Sequence, residues 1–213
     1  MLPTTQSGRQ FLAGAALIAL TAAAGFSVRG KAAPYVPDAP AYRQKGPKDA
    51  PIVIAEYSDF QCPACKAAVE PLHTIQKLFP GKIRVIFKHF PWDFHPWAKD
   101  AAIAAECAGK EDAFWAFHDL LYNKQWIWAQ EKEHKEIVNI FSSFATGAGL
   151  NEEKFRKCLK DPAIAQSVEA EFLEAKSNFV GSTPTFIING KRFVGALQLR
   201  TLGLNHIENE LKK

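Results

Sequence analysis

The chain has 213 residues, 47% of them hydrophobic and 12% aromatic, with a formal net charge of +4. This is the composition of a globular protein with a real core, long enough for one well-buried domain, and it excludes a disordered tail protein. Residues 1–33 hold Arg9, Arg29 and Lys31 and no acid, so without them the charge falls to +1, too weak an electrostatic footprint for a nucleic-acid partner.

Residues 11–26 read FLAGAALIALTAAAGF and carry no charge. A bilayer-spanning helix wants roughly 20 apolar residues, so the run is short for a permanent span. With Arg9 before it and small residues at 22–24 and 32–33, it reads as a secretory signal, the alternative being an uncleaved N-terminal anchor. Residues 1–33 are therefore expected to direct the chain to the periplasm or another extracytoplasmic space. Residues 34–50, rich in Pro, Ala and charge, are expected to form an exposed lead-in.

Residues 52–57 (IVIAEY) predict a buried strand. A helix follows from Cys65, with Val69, Leu72, Ile75, Gln76 and Phe79 on one face, ended by Pro80-Gly81. Residues 82–90 (KIRVIFKHF) alternate apolar and basic, as a strand with one solvent side would. Helical period then takes over: an Ala-rich helix over 96–108, then Phe114, Phe117 and Leu121 on a second, then Ile137, Ile140, Phe141 and Phe144 on a third. Asn151 and Asp161-Pro162 open two more. Strand character returns at 185–188, Asn189-Gly190 signals a hairpin, and an amphipathic helix over 199–211 closes the chain.

Cys62 and Cys65 stand two residues apart, directly after the first strand, in SDFQCPACKA. A dithiol at this spacing can bind metal, staple a fold or carry electrons. At a helix entrance the first cysteine meets unpaired N–H groups and a partial positive charge, which stabilise a thiolate. Pro63 suits a first helical turn. Cys62 is thus expected to be exposed and nucleophilic, and Cys65 to face inward and resolve the mixed disulfide. Zinc needs four ligands, and no second C-x-x-C or H-x₃₋₅-H is present. So small a ring gives little as a structural staple. Two thiolates at this spacing can also hold Cu(I). Cys107 and Cys158 remain as the natural second pair, structural in character, with a second redox pair as the sharper alternative.

Four segments, EYSDFQCPACK, FPWDFHPWAKDAAIAAECA, FWAFHDLLY and GSTPTFIINGK, occur in an order that resembles the DsbA-like thiol–disulfide oxidoreductases of the thioredoxin superfamily, from about residue 51 to the C-terminus. The resemblance implies an α/β thioredoxin fold, a central mixed sheet flanked by helices, with an inserted all-helical domain. Residues 51–95 and 179–213 would form the two parts of the thioredoxin fold and residues 96–178 the insertion. Cys62 matches the attacking cysteine and Cys65 the resolving one. Pro184 matches the cis-proline opposite the dithiol, with Thr183 before it. Glu56 matches a semi-buried acid that manages the proton of the second cysteine; a satisfied surface acid is the alternative. The family needs no bound organic cofactor and no metal, because the dithiol carries the electrons.

One departure stands out. Ala64 occupies the position where strongly oxidising relatives often carry histidine, which implies a less oxidising pair. Thr183 resembles the isomerase and reductase branches as much as the oxidase one. The chain is thus expected to be a monomeric oxidase of unfolded or reduced exported proteins, reoxidised by a membrane redox partner. A reductase or isomerase kept reduced by a membrane donor is the alternative within the same chemistry, and a Cu(I) carrier the alternative outside it. His89, His95 and His118 are expected to pack or cap rather than bind metal. Trp92, Phe94 and Trp97 can line a substrate groove, although core packing is the simpler reading.

Overall fold

The computed structural model describes residues 37–213. The expected signal or anchor at 1–33 lies outside them. Five strands, β1 (Gln44–Lys45), β2 (Ile52–Ser58), β3 (Ile83–His89), β4 (Thr185–Ile188) and β5 (Lys191–Val194), form one mixed sheet in the order β1-β3-β2-β4-β5. β2 and β3 run parallel, joined by α1 (Pro63–Leu78), while β4 lies antiparallel to β2 and pairs with β5. The β4–β5 hairpin turns at Asn189-Gly190, both at positive φ, as two-residue hairpin turns require.

Alternation along β2 and β3 assigns the two faces of the sheet. Ile52, Ile54, Ile83 and Val85 pack with Ala68, Leu72 and Ile75 of α1. Leu199 and Ile207 of the C-terminal helices close the same layer. On the opposite face, Ala55 and Tyr57 pack with Phe172 and Ala175 of α7 (Pro162–Ser177). The C-terminal helix expected over 199–211 starts earlier, at Gly195, and carries a π turn at Leu199–Gly203 between α8 (Gly195–Gln198) and its last stretch, Leu204–Leu211. α1 carries Pro71 in its interior, at the cost of one backbone hydrogen bond.

Between β3 and β4 lie α2 (Ala98–Gly109), α3 (Phe114–Asn123), α4 (Gln125–Trp128), α5 (His134–Gly147) and α6 (Glu152–Cys158), followed by α7. Asn151 caps α6 by accepting from Lys154 N at 2.9 Å, and Asp161 caps α7 by accepting from Ala163 N at 2.9 Å. The core of the block, built on Phe114, Phe117, Leu121, Trp128, Phe141 and Phe155, is continuous with Phe60, Phe87 and Cys65. Helical packing therefore reaches the dithiol without a break. A disulfide joins Cys107 of α2 to Cys158 of α6, with Cα atoms 5.7 Å apart.

Two expectations are corrected. Residues 34–50 are not an exposed lead-in throughout: β1 (Gln44–Lys45) pairs antiparallel with β3, and Arg43 keeps only 5% of its surface. Gly46 makes this turn at φ 107°, and a Cβ there would sit 2.1 Å from Ile83 O. Nor does β3 have a solvent side. Lys88 is 1% exposed, its ammonium 2.7 Å from Glu171 and 2.9 Å from Glu174. Arg43 pairs with Glu171 and, at 3.1 Å, with Glu106, which also lies 2.9 Å from His89 Nε2. Burial alone would raise the Glu106 carboxyl, but the His89 contact and the Arg43 guanidinium hold it down at about 2. Buried charges persist when paired and hydrogen-bonded, as these are.

Candidate active site

Cys62 is the N-cap of α1, with extended backbone at φ −72° and ψ 121°, and Pro63 occupies the first turn. The Cys62 carbonyl accepts from Cys65 N at 3.1 Å and Lys66 N at 3.2 Å, starting the helix. Gln125 of α4 donates to Phe60 O at 2.8 Å and to Cys62 O at 3.1 Å, tying the dithiol turn to the helical block. Asp59, fully buried, accepts from Gln61 N at 2.7 Å and Trp92 N at 2.9 Å, and pairs with His95 Nδ1 at 2.7 Å. The strand-to-helix turn is thus held from both sides.

Both cysteines are free thiols. Cys62 is less exposed than expected, retaining 8% of its surface. The cause is the segment before β4: the Thr183–Pro184 bond is cis, and the Cys62 thiol donates to Thr183 O at 3.8 Å. Pro184 is buried, its carbonyl accepting from Gly195 N at 2.9 Å. Cys65 is wholly buried, with Asp59 N donating to its sulfur at 3.4 Å.

The two thiols are driven apart in acidity. A hydrogen bond from the Cys65 thiol is the largest influence bringing Cys62 down to about 6; burial opposes it, while the Thr183 side chain and the N–H groups of Cys65 and Ala64 add to it. Burial pushes Cys65 well above the ordinary thiol range, and the Cys62 thiolate pushes it further. One sulfur is ready as nucleophile and leaving group, and the other keeps its proton.

Glu56 lies on the α1 side of β2, 1% exposed, and its Oε2 has no hydrogen-bond partner. Burial raises its carboxyl to about 7, against a hydrogen bond from Ser58. The Ser58 hydroxyl also hydrogen-bonds the Cys65 sulfur and pairs with Tyr122 OH at 2.9 Å. Ser58 therefore links the acid to the buried thiol.

Cys62, Cys65, Thr183, Pro184 and Glu56 thus converge from one strand, one helix and one loop. Cys107 and Cys158 are bonded to each other on the helical block. Among the histidines, His89 is buried against Glu106, His118 packs among Phe60, Phe87 and Tyr122, and His95 pairs with Asp59 beside the dithiol turn. Core packing does not describe Phe94, which is 69% exposed and stacked on Trp92. Gln61, Pro63, Lys66, His95 and Trp126 line an open cleft beside Cys62. Sequence reasoning passed over Ser58, Asp59 and Gln125. Ser58 and Asp59 stand inside the motif itself, whereas nothing local marks Gln125.

Comparison with known proteins agrees with this geometry. A family model described as Thioredoxin matches residues 39–204. The fold is similar to that of BdbD from Bacillus subtilis in its oxidised form, at 28% identity and a TM-score of 0.69, covering 80% of this chain and 93% of that one. It is similar in fold to Wolbachia pipientis alpha-DsbA1, at 20% identity and a TM-score of 0.65, covering 79% and 92%. Among curated proteins, a Na(+)/H(+) antiporter NhaA 1 of Salinispora arenicola is 35% identical over 159 residues, which are 74% of this chain and 23% of the antiporter. The chain spans less than a quarter of the length of such relatives. With the family model spanning most of the chain, and with the cis-proline, the C-x-x-C turn and the helical block in place, this chain belongs to the thioredoxin family in its DsbA-like form.

Proposed function

We propose that this protein is an extracytoplasmic thiol–disulfide oxidoreductase that introduces disulfides into exported proteins through Cys62 and Cys65. The observation that carries the reading is the split in acidity at the entrance of α1. A stabilised Cys62 thiolate favours the reduced dithiol, and a pair whose reduced form is stabilised is an oxidant. A value of about 6 lies between the attacking cysteines of thioredoxin, about 7, and DsbA, about 3.5. That supports an oxidase milder than the strongest relatives, in keeping with Ala64.

The cycle starts from the Cys62–Cys65 disulfide. A substrate thiolate attacks Cys62 Sγ, forming a mixed disulfide and expelling the Cys65 thiolate. Cys65 takes a proton, for which Glu56 is the donor and Ser58 the link. A second substrate thiolate then attacks the substrate sulfur of the mixed disulfide and expels the Cys62 thiolate. The substrate leaves with one disulfide and the protein keeps two electrons, which a membrane redox partner removes. Thr183 and Pro184 face the reacting sulfur and position the incoming chain. Cys107–Cys158 is structural, and the protein works as a monomer.

Mixing the oxidised protein with a reduced two-cysteine peptide tests the activity. One equivalent of peptide disulfide should form per protein, and Cys62→Ser should abolish it. Absence of transfer, with Cu(I) bound at one equivalent, would replace this reading by a thiol carrier for copper.

A further inference from the structure

Ala64 removes the side-chain donor that position supplies in strongly oxidising relatives, yet Cys62 is still acidic. The donor comes from across the site. Trp92, in the loop after β3, gives its indole N–H to Thr183 Oγ1 at 2.9 Å. A threonine hydroxyl has one hydrogen to give and two lone pairs to receive. With Trp92 filling an acceptor position, the rotor is fixed and its hydrogen points away from the indole. The Cys62 sulfur is packed against the same residue, and the Thr183 side chain bears on it as a hydrogen-bonding group that favours the thiolate. The neutral thiol donates to the Thr183 carbonyl at 3.8 Å instead. Ionisation removes that hydrogen, and the sulfur becomes an acceptor, which the Thr183 hydroxyl can satisfy and the Thr183 carbonyl cannot.

We propose that Trp92 is a positioning residue for the redox pair: its indole N–H orients the Thr183 hydroxyl so that the single hydroxyl hydrogen serves the Cys62 thiolate. The inference deepens the oxidoreductase reading and rests on it for its purpose, though not for its measurement. Trp92 is itself held. Its backbone N–H donates to Asp59 at 2.9 Å, the carboxylate that also receives Gln61 N beside Cys62. Its ring packs edge-on against Phe90 with centroids 4.8 Å apart, stacks on Phe94 at 5.2 Å, and has Lys176 Nζ of α7 5.7 Å from its centroid. The groups bearing on Cys62 itself are Cys65 from α1, the Thr183 side chain and the N–H groups of the first helical turn. Three separated stretches of chain therefore meet at one hydroxyl. An indole N–H is also a fixed donor: it cannot reverse and compete for the hydroxyl hydrogen, as a second hydroxyl or an amide oxygen would.

The test is ultraviolet titration of the Cys62 thiolate in the reduced full chain. Trp92→Phe keeps the ring packing and removes the donor. It should raise the Cys62 pKa by about 0.5–1 unit, a fall of about three- to tenfold in thiolate fraction below the pKa. Thr183→Val should raise it at least as much, and Trp92→Phe should add nothing in the Thr183→Val background, since both act through one hydrogen bond. Phe94→Leu, which disturbs the stacking and leaves the donor, should leave the titration unchanged. Additive shifts, an unmoved pKa in Trp92→Phe, or an equal shift in Phe94→Leu would overturn the assignment. Because the titration needs no substrate, a failed peptide assay with these shifts present would sink the oxidase reading alone. A working assay without the shifts would sink only the role of Trp92.

Discussion

A carboxyl group buried with one oxygen unpartnered is costly to ionise, and Glu56 is in that position beneath the dithiol. Its folded value of about 7 lies above the ordinary 4.5. The folded state therefore holds the proton more tightly than the unfolded chain does. The stability this confers is complete below about pH 4.5 and is lost as pH rises through about 7. Glu56→Gln removes the titration, so its stability relative to the parent should improve between pH 5 and pH 8. The distance from 4.5 to about 7 sets a ceiling on the order of 3 kcal/mol on that gain. Urea unfolding at the two pH values checks it, and an equal difference at both would remove Glu56 as a titrating group. The same variant should slow turnover, because Cys65 loses its proton donor. In the sequence Glu56 looked equally like a surface acid, since the strand's burial on its second face comes from α7, far along the chain.

At the scale of elements, what was legible is what local chemistry determines. The strand–turn–helix carrying Cys62 and Cys65, the Asn151 and Asp161 caps and the Asn189-Gly190 hairpin all depend on residues a few positions apart. The pairing of β1 with β3 and the burial of Arg43 and Lys88 depend on Glu106 and Glu171, which no local pattern connects to them. Phe94 was misread for a related reason: an aromatic beside two tryptophans suggests core, yet the loop turns its ring outward over Trp92. The α2–α6 crosslink permits a direct prediction. Cys107–Cys158 closes a loop of 51 residues, for which chain entropy sets a ceiling of about 4 kcal/mol. Replacing both by alanine should lower unfolding stability by up to that amount and leave Cys62 reactivity unchanged. Unchanged stability with lost disulfide exchange would instead make this bond part of the electron path.

Across the described residues, the architecture carries the chemistry by bringing distant segments to one point. The thioredoxin sheet supplies Glu56 and Ser58 from β2, and α1 supplies both thiols. The loop before β4 supplies Thr183 and Pro184, and the helical block supplies Gln125 and Tyr122. The buried ion network around Arg43 and Glu106 fastens residues before β1 to β3, α2 and α7. All of this favours the thiolate at Cys62 and the protonated thiol at Cys65. The most direct measurement of that claim is the equilibrium of the Cys62–Cys65 pair with glutathione. A stabilised Cys62 thiolate predicts a potential above the thioredoxin value of about −270 mV and below the DsbA value of about −120 mV. A potential at or below that of thioredoxin would contradict the oxidase and place the pair among reductases.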